Sequence, residues 1–147
     1  MIKPASIKHL DEIVYIEEMM FIKPWNRKQI LHDINLQTVS DNLVYMKDRK
    51  VIAYILGFKV IDEFHLNNIA VHKKFQRKHI AKKLLFHLIN RLQMQNIKKI
   101  FLEVSEKNKP ARELYKSFGF KRESIRQHYY AKGDHAILYY LNLVSNG

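Results

Sequence analysis

The chain has 147 residues, 47% of them apolar and 27% charged, a composition typical of one soluble globular domain and unlike that of a disordered chain. The absence of cysteine from the sequence excludes a disulfide scaffold, a thiolate metal site and a cysteine nucleophile. No window approaches the roughly 18 uncharged apolar residues of a membrane helix, and the N-terminus lacks the apolar stretch of a secretory signal. We therefore expect a single domain over residues 1–147, in the cytoplasm and without contact to a membrane.

The formal net charge of +12 indicates that the protein meets a polyanion, and the excess is concentrated in one part of the chain. Residues 1–72 hold nine basic and nine acidic side chains, residues 73–105 hold nine and one, and residues 106–147 hold eight and four. The excess begins at Lys73. Two interpretations compete there, a solvated helix face and an anion-binding site.

The first half of the chain predicts a short strand, two helices and then three strands. An extended start at residues 2–4 is followed by a helical period of apolar residues up to Met20, with Ser6 as its N-cap. After a loop, Asn26 caps a second helix that runs through Ile34. Segments rich in β-branched and aromatic residues follow, and they predict an antiparallel meander over residues 43–46, 51–60 and 64–71.

The second half alternates helices with strands. A helical period returns after His79, and residues 97–104 predict the next strand. Another helix begins after Asn108 as N-cap and ends before Gly119. Because a helix connects them, the strands at 64–71 and 97–104 are expected to be parallel neighbours. Final strands at 120–128 and 135–143 complete an α/β fold, a mixed central sheet with flanking helices in the order β-α-α-β-β-β-α-β-α-β-β.

A short basic loop at residues 72–79 leads into the helix that follows His79. The first amides of a helix lack internal partners and the helix dipole is positive at this end, so a phosphate group fits there. A basic loop before an amphipathic helix is also commonly no more than a solvated surface. Both interpretations stand on these residues alone.

Glu103 and Tyr115 are candidate groups for proton transfer. Glu103 is the only acidic residue between positions 73 and 105, and a period of two places it on the strand face opposite Leu102 and Val104. A carboxylate there needs a partner or a raised pKa, which suits a general base, while pairing with a nearby cation is the alternative. Tyr115 lies on the apolar stripe of its helix, which by itself indicates a core tyrosine.

The eight histidines do not predict a metal site. His65, His72 and His79 are spaced seven residues apart, and no pair has the three- or four-residue helical spacing of two ligands. A strand period of two also puts His65 and His72 on opposite faces. We therefore expect no bound metal.

Four segments of the chain, taken together, carry a family resemblance: Asn68-Ile69-Ala70-Val71, Gln76-Arg77-x-x-Ile80-Ala81, Leu102-Glu103-Val104 with Asn108, and Leu114-Tyr115-Lys116-Ser117-Phe118-Gly119-Phe120. They resemble the GNAT superfamily of acetyl-CoA-dependent N-acetyltransferases, whose order of elements is also the predicted one. A narrower set of segments is Lys23-Pro24-Trp25, Leu102-Glu103-Val104 and Ile125-Arg126-Gln127-His128-Tyr129-Tyr130. These are similar to the bacterial ribosomal-protein-alanine N-acetyltransferases.

The resemblance implies how acetyl-CoA would bind. Backbone groups of Ile69, Ala70 and Val71 would lie along its pantetheine arm, with the Val71 amide at the thioester oxygen. Asn108 would contact the same arm. The pyrophosphate would be held by the loop residues Gln76, Arg77, Lys78, His79, Ile80, Ala81 and Lys82.

The resemblance also implies the roles in the reaction, with acetyl-CoA as co-substrate and no metal. Glu103 would be the general base and Tyr115 the general acid. The groove for the first residues of a peptide would be shaped by Trp25, Tyr129 and Tyr130. An α-amine with a pKa of about 8 asks less of its base than a lysine amine with a pKa of about 10.4. The implied acceptor is the N-terminal amine of a protein, a small-subunit ribosomal protein that begins with Ala.

One position departs from the family pattern, which has Gly where this chain has His79. The usual reason for that Gly is the close approach of the backbone to a phosphate. His79 either has helical backbone angles and points away, adds a hydrogen bond to a phosphate oxygen, or blocks the cofactor. We expect the first two together, because Glu103, Asn108 and Tyr115 are all present.

Two other functions fit the same sequence. The fold also suits an enzyme that acetylates lysine side chains or a small amine. The basic segment 73–105 also suits a ribosome- or RNA-binding module whose cofactor site has degenerated. For the main hypothesis, contact with nucleic acid is expected only indirectly, through the ribosome.

Overall fold

Seven β-strands form one sheet in the computed structural model, which describes residues 1–35 and 41–143 of the chain. The strands are β1 (Ile2–Pro4), β2 (Leu43–Lys47), β3 (Lys50–Val60), β4 (Glu63–Val71), β5 (Lys99–Ser105), β6 (Lys121–Ala131) and β7 (Asp134–Asn142). Their spatial order is β1-β2-β3-β4-β5-β7-β6. Neighbouring strands are antiparallel except β4 and β5, so the sheet is mixed.

Four α-helices flank the sheet in the described part of the chain: α1 (Leu10–Met20), α2 (Arg27–Asn35), α3 (Ile80–Met94) and α4 (Lys109–Ser117). The side chains of Asn26 and Gln29 each accept the other's backbone amide at 2.9 Å and cap α2. Asn108 Oδ1 accepts the Ala111 amide at 3.3 Å and caps α4. Both caps are those predicted from the sequence.

The predicted order of elements is confirmed, and the two strands expected to be parallel neighbours are β4 and β5. The helix predicted after Ser6 differs at its start, where a short 3-10 turn (Ile7–His9) precedes α1. The cause is the ring of His9, whose Nδ1 accepts the backbone amide of Ser6 at 3.0 Å. Ser6 therefore caps the turn and not α1 itself.

The predicted start of a strand at Ile97 is wrong, because this residue belongs to the cap that follows the end of α3. Asn96 has a positive φ of 59°, and the Ile97 amide donates to the carbonyl of Leu92 at 3.0 Å. This is the Schellman arrangement, in which the apolar residue after a left-handed one covers the helix end. Gly119, with a φ of 91°, ends α4 in the same way and moves the start of β6 from Phe120 to the next residue.

Two apolar cores lie on opposite faces of the sheet. Helices α3 and α4 cover one face, and α1 and α2 cover part of the other. Burial alternates along β5, so that Leu102 and Val104 join the α3–α4 core. The predicted alternation is thereby confirmed, and it turns Glu103 towards the α1–α2 face of the sheet.

Strand β6 extends three residues beyond the predicted end at position 128, and β7 has the predicted length but begins one residue before position 135. The pairing of this β6–β7 hairpin is irregular between Arg126 and Ala131, and Tyr129 and Tyr130 lie within this irregular stretch. The backbone amide of His128 donates to the Nδ1 atom of the His135 ring at 2.8 Å. This hydrogen bond holds the two strands together where the regular ladder is interrupted.

Candidate active site

The two parallel strands separate part of the way along their length. Strand β4 pairs with β5 as far as Leu66 and Leu102, and no pairing continues beyond them within the described residues. The register between β3 and β4 shifts here, and Asn67 is the extra residue of the bulge. Gly57 lies opposite, where a Cβ atom would come within 2.4 Å of the Phe64 ring, so that only glycine fits. We call the opening between β4 and β5 past Leu66 and Leu102 the fork.

The backbone of β4 beyond the bulge offers peptide groups to the fork. The His72 amide donates to the carbonyl of Ile52 on β3 at 2.8 Å. Because the peptide groups of a strand alternate in direction, the amides of Ile69 and Val71 face away from β3, towards the fork. Ala70 between them is buried. Backbone groups of this kind require a partner, so the edge suits an extended polar ligand.

The basic loop joins the end of β4 to α3. The amide group of the Gln76 side chain donates to the carbonyl of Val71 at 3.3 Å, which ties the loop to the strand. Ile80 is buried and packs in the α3–α4 core, so only its backbone is available to a ligand. Ala81 is half-buried in the first turn of α3.

Three cations of this region, Arg77, Lys78 and Lys82, have exposed side chains. None of them forms an ion pair with another residue in the described ranges. Unpaired cations beside the N-terminus of a 15-residue helix suit a phosphate, because the helix dipole and the side chains attract it together.

His79 adopts a left-handed backbone conformation, with φ 60° and ψ 23°, directly before α3. Our prediction of helical backbone angles for this residue is therefore wrong. The left-handed region costs a residue with a Cβ about 1–2 kcal/mol, so the turn itself favours the glycine of the family pattern. Arg77 also has a positive φ, of 64°. The loop thus contains two left-handed residues that are not glycine.

Glu103 lies on β5, one residue past the last β4–β5 pair. Its side chain is 29% exposed, and its Oε1 lies 3.6 Å from an Nη1 of Arg126, whose side chain is 59% exposed. The cation pairing left open by the sequence is therefore present. Exposed pairs of this kind contribute only about 0–1 kcal/mol, so the carboxylate stays accessible to other partners.

Tyr115 on α4 is buried, as its place on the apolar stripe predicts. Its ring lies 5.5 Å from that of Phe120 and 6.4 Å from that of Tyr139, between centroids. Burial raises the pKa of the Tyr115 hydroxyl well above its usual range, and the neighbouring Tyr130 raises it further. The group is therefore protonated at neutral pH.

Tyr130 interacts electrostatically with both candidate groups, Glu103 and Tyr115. Burial, followed by the charge of Glu103, raises the pKa of Tyr130 to about 12. Its influence on Tyr115 shows that these three side chains share one electrostatic environment. Tyr129 stands beside it, with the rings edge to face at 5.1 Å, and the guanidinium carbon of Arg126 lies 5.0 Å from the Tyr129 ring centre. Tyr130 thus links Glu103 and Tyr115 electrostatically and packs against Tyr129.

Trp25 belongs to the α1–α2 loop (residues 21–26) and borders a surface cavity of about 420 Å³. Its indole packs against the α1–α2 core, and its backbone amide donates to Glu17 Oε2 at 2.9 Å. The contact between this loop and the hairpin is made by Lys23, whose ammonium group donates to the Tyr130 carbonyl at 2.8 Å. Trp25 itself is not joined to the two tyrosines.

Asn108 is exposed at the start of α4, near the end of β5. Its side-chain oxygen is used to cap the helix, which leaves the amide NH2 group for a ligand.

Three residues of this region escaped the sequence reasoning: Lys23, Arg126 and Glu17. Lys23 and Arg126 stand inside segments that carry the family resemblance, but nothing in their spacing singles them out. Glu17 had a visible signal, since it occupies the apolar face of α1 together with Ile13 and Ile16 and is itself buried. A charged residue at a buried helical position is the feature that would have found it.

Among residues 1–35 and 41–143, no group of three or more His, Asp or Glu side chains is placed to hold a metal ion. In the same ranges, no helix is both long and apolar enough to cross a membrane.

The chain matches the Acetyltransferase (GNAT) family over residues 10–120. The ribosomal protein bS18-alanine N-acetyltransferase of Haemophilus ducreyi is 34% identical over 134 residues, 91% of each chain. The protein of the same name from Escherichia coli K12 is 32% identical over 120 residues, 82% of this chain and 80% of its own. The crystal structure of the ribosomal-protein-S18-alanine N-acetyltransferase from E. coli has a TM-score of 0.93 at 29% identity, over 100% of this chain and 96% of its own. The chain therefore belongs to the GNAT family of acetyltransferases.

Proposed function

We propose that the protein transfers an acetyl group from acetyl-CoA to the N-terminal α-amine of a protein, a small-subunit ribosomal protein that begins with Ala. One observation carries this proposal: Glu103, next to the fork, faces the α1–α2 side of the sheet, Tyr115 packs on the opposite side, and both interact electrostatically with Tyr130. A thioester lying through the fork meets a base on one side and an acid on the other. The names of the bS18-alanine N-acetyltransferases support the acceptor, and we propose the cytoplasm as the place of the reaction.

Acetyl-CoA is the second substrate, and the residues present suit its chemistry. Its pyrophosphate fits the loop of residues 76–82, where exposed cations and the first amides of α3 meet. Its pantetheine arm carries amide groups that can pair with the backbone of Ile69 and Val71 along the fork. Asn108 contributes its side-chain NH2 group on the other side.

Glu103 removes the proton of the acceptor amine, directly or through water. An α-amine is about one-tenth neutral at pH 7, a much larger fraction than for a lysine amine, so a weaker base is sufficient. The ion pair with Arg126 is partly exposed and weak, so an incoming ammonium group can take the place of the guanidinium. Glu103 then holds the amine next to the fork.

The Val71 amide faces the fork and stabilises the negative charge that develops on the thioester oxygen during attack. A C–N bond forms and the C–S bond breaks. The proton of the amine passes to Glu103, and Tyr115 gives its proton to the leaving thiolate. Burial keeps the Tyr115 hydroxyl protonated at neutral pH, as this role requires.

The acceptor chain enters between the α1–α2 loop and the β6–β7 hairpin. The two walls are held together by the hydrogen bond of Lys23 to Tyr130. Trp25 on one wall, and Tyr129 and Tyr130 on the other, supply the apolar surface for the first residues of the peptide.

The test is incubation with acetyl-CoA and peptides that differ only in their first two residues, read by mass spectrometry. A peptide with free N-terminal Ala should gain one acetyl group, and an N-blocked peptide containing Lys should gain none. Acetylation of the blocked peptide alone would identify a lysine acetyltransferase. Salt-sensitive RNA binding that acetyl-CoA does not change, with no acetyl transfer, would identify a binding module.

A further inference from the structure

The carboxylate of Glu17 is buried on α1, with 1% of the residue exposed. Its Oε1 accepts a hydrogen bond from the hydroxyl of Tyr54 on β3. The side-chain amide of Asn68 on β4 donates to both carboxylate oxygens, at 2.9 and 3.0 Å. The backbone amide of Trp25 donates to Oε2 at 2.9 Å. One carboxylate thus joins a helix, two strands and the α1–α2 loop.

Burying a carboxylate away from water has an unfavourable desolvation free energy. Burial raises the pKa of Glu17 above its usual value of 4.5, while the hydrogen bonds from its three partners act in the opposite direction. All the groups around it are donors, so the site is built for a carboxylate acceptor. An apolar side chain could occupy the same position on the buried face of α1. The presence of a carboxylate there indicates that its hydrogen bonds have a role.

Two partners of Glu17 belong to different parts of the proposed site, the α1–α2 loop and the edge of β4 at the fork. Trp25 belongs to the loop proposed to receive the acceptor peptide. Asn68 follows the bulge at Asn67 and precedes Ile69, whose backbone amide faces the fork. A second pair repeats the connection at the same bulge, since Asn67 donates to the Asp33 carboxylate on α2 at 2.9 Å.

We propose that Glu17 is a positioning residue. It fixes the α1–α2 loop, which forms one wall of the proposed peptide groove, relative to the fork. It holds the Trp25 amide and the Asn68 side chain on one carboxylate, so that the peptide presents its amine at a set distance from the thioester. This inference rests on the proposed function for its consequence in catalysis. The positioning itself is a property of the loop and can be measured without turnover.

The variants for the test are Glu17→Ala, which removes all the contacts, and Glu17→Gln, which keeps one acceptor oxygen for the Trp25 amide. The matched control is Tyr54→Phe, which removes a hydrogen bond from the same carboxylate but leaves those to the loop and to β4. Thermal unfolding is measured for all three. The control shows how much of any effect comes from a loss of stability alone.

Trp25 is the single tryptophan of the chain, so its fluorescence reports on the loop. Glu17→Ala should shift the emission to the red and increase quenching by acrylamide, Glu17→Gln should do so less, and Tyr54→Phe should leave both unchanged. An unchanged Trp25 signal in folded Glu17→Ala overturns the proposal. If Glu17→Ala does not fold, the Trp25 fluorescence of Glu17→Gln is compared with that of Tyr54→Phe. Equal signals in these two variants overturn the proposal.

With an active wild-type enzyme, Glu17→Ala should raise KM for the peptide about tenfold or more, since a charged hydrogen-bonding group is lost. We expect kcat and the Kd of acetyl-CoA to change less than about threefold, because the groups at the thioester stay in place. If Tyr54→Phe raises KM as much as Glu17→Ala does for the same loss of stability, the proposal is overturned. Absence of any wild-type turnover refutes the proposed function instead, and the fluorescence result still decides on the loop.

Discussion

The ammonium group of Lys23 lies 2.8 Å from the carbonyl oxygen of Tyr130, and this contact joins the α1–α2 loop to the β6–β7 hairpin. The two residues are 107 positions apart in the chain. The hydrogen bond crosses the entrance through which the acceptor peptide is proposed to pass. It also brings a positive charge to the side of the groove that carries Tyr129 and Tyr130.

Lys23→Met keeps the aliphatic stem and removes this hydrogen bond. We expect KM for an Ala-starting peptide to rise about threefold to tenfold, because one hydrogen bond between exposed groups contributes about 1 kcal/mol. The Kd of acetyl-CoA, measured by calorimetry, should not change. The control is Lys50→Met, which removes an exposed lysine from the first position of β3. Equal KM values for the two variants would show that the contact does not hold the groove.

Glu103→Gln and Tyr115→Phe test the proton-transfer roles. Each should lower kcat by about a hundredfold to ten-thousandfold, the range over which a positioned acid or base acts. Both substitutions keep the shape of the side chain, so the Kd of acetyl-CoA and the thermal midpoint should stay near those of the wild type. Full turnover by both folded variants would contradict the assignments. Full turnover by Tyr115→Phe alone would mean that the thiolate leaves without an acid.

Local features of the fold were predictable because their causes are local. Asn26, Asn108 and Gly119 begin or end helices through contacts within a few residues, and the alternation along β5 follows from the geometry of a strand. The same reasoning placed Glu103 on the face opposite its buried neighbours. The resemblance then supplied the chemistry that periodicity does not contain.

The remaining features depend on contacts between distant parts of the chain. Glu17 stands out as a polar residue on an apolar stripe, but its partners lie 8, 37 and 51 residues away and no spacing rule identifies them. The fork likewise arises from the register of three strands. At Ile97 the prediction was wrong although the cause is local, since an apolar residue suits the start of a strand and a helix cap equally well.

His79→Gly tests the strain in the basic loop. Glycine removes the cost of the left-handed conformation but increases the freedom of the unfolded chain, so we expect a net gain of about 0.5–1 kcal/mol in the free energy of unfolding. His79→Ala is the control, because it deletes the imidazole and keeps the Cβ, and it should not be stabilised. If acetyl-CoA binds both variants as well as the wild type, the imidazole makes no contact with phosphate. Weaker binding in both would assign it one.

The pH dependence of stability should carry the signature of Glu17. Its pKa is raised in the folded state, so the folded protein keeps this proton at pH values where the unfolded chain, with a pKa of 4.5, has lost it. The stabilising contribution is therefore complete below pH 4.5 and is lost as the pH rises through the folded pKa. Relative to Glu17→Gln, which does not titrate, the wild type should lose free energy of unfolding over that range.

The measurement is urea unfolding of both proteins from about pH 4 to pH 8, with the difference in unfolding free energy as the result. Asp33, whose pKa burial also raises, contributes equally to both proteins and cancels. Tyr54 hydrogen-bonds Glu17 but titrates far above this range, so it adds no slope. A difference that falls and then levels off supports a buried, titrating Glu17. A flat difference would mean that the carboxylate is as well solvated in the folded protein as in the unfolded chain.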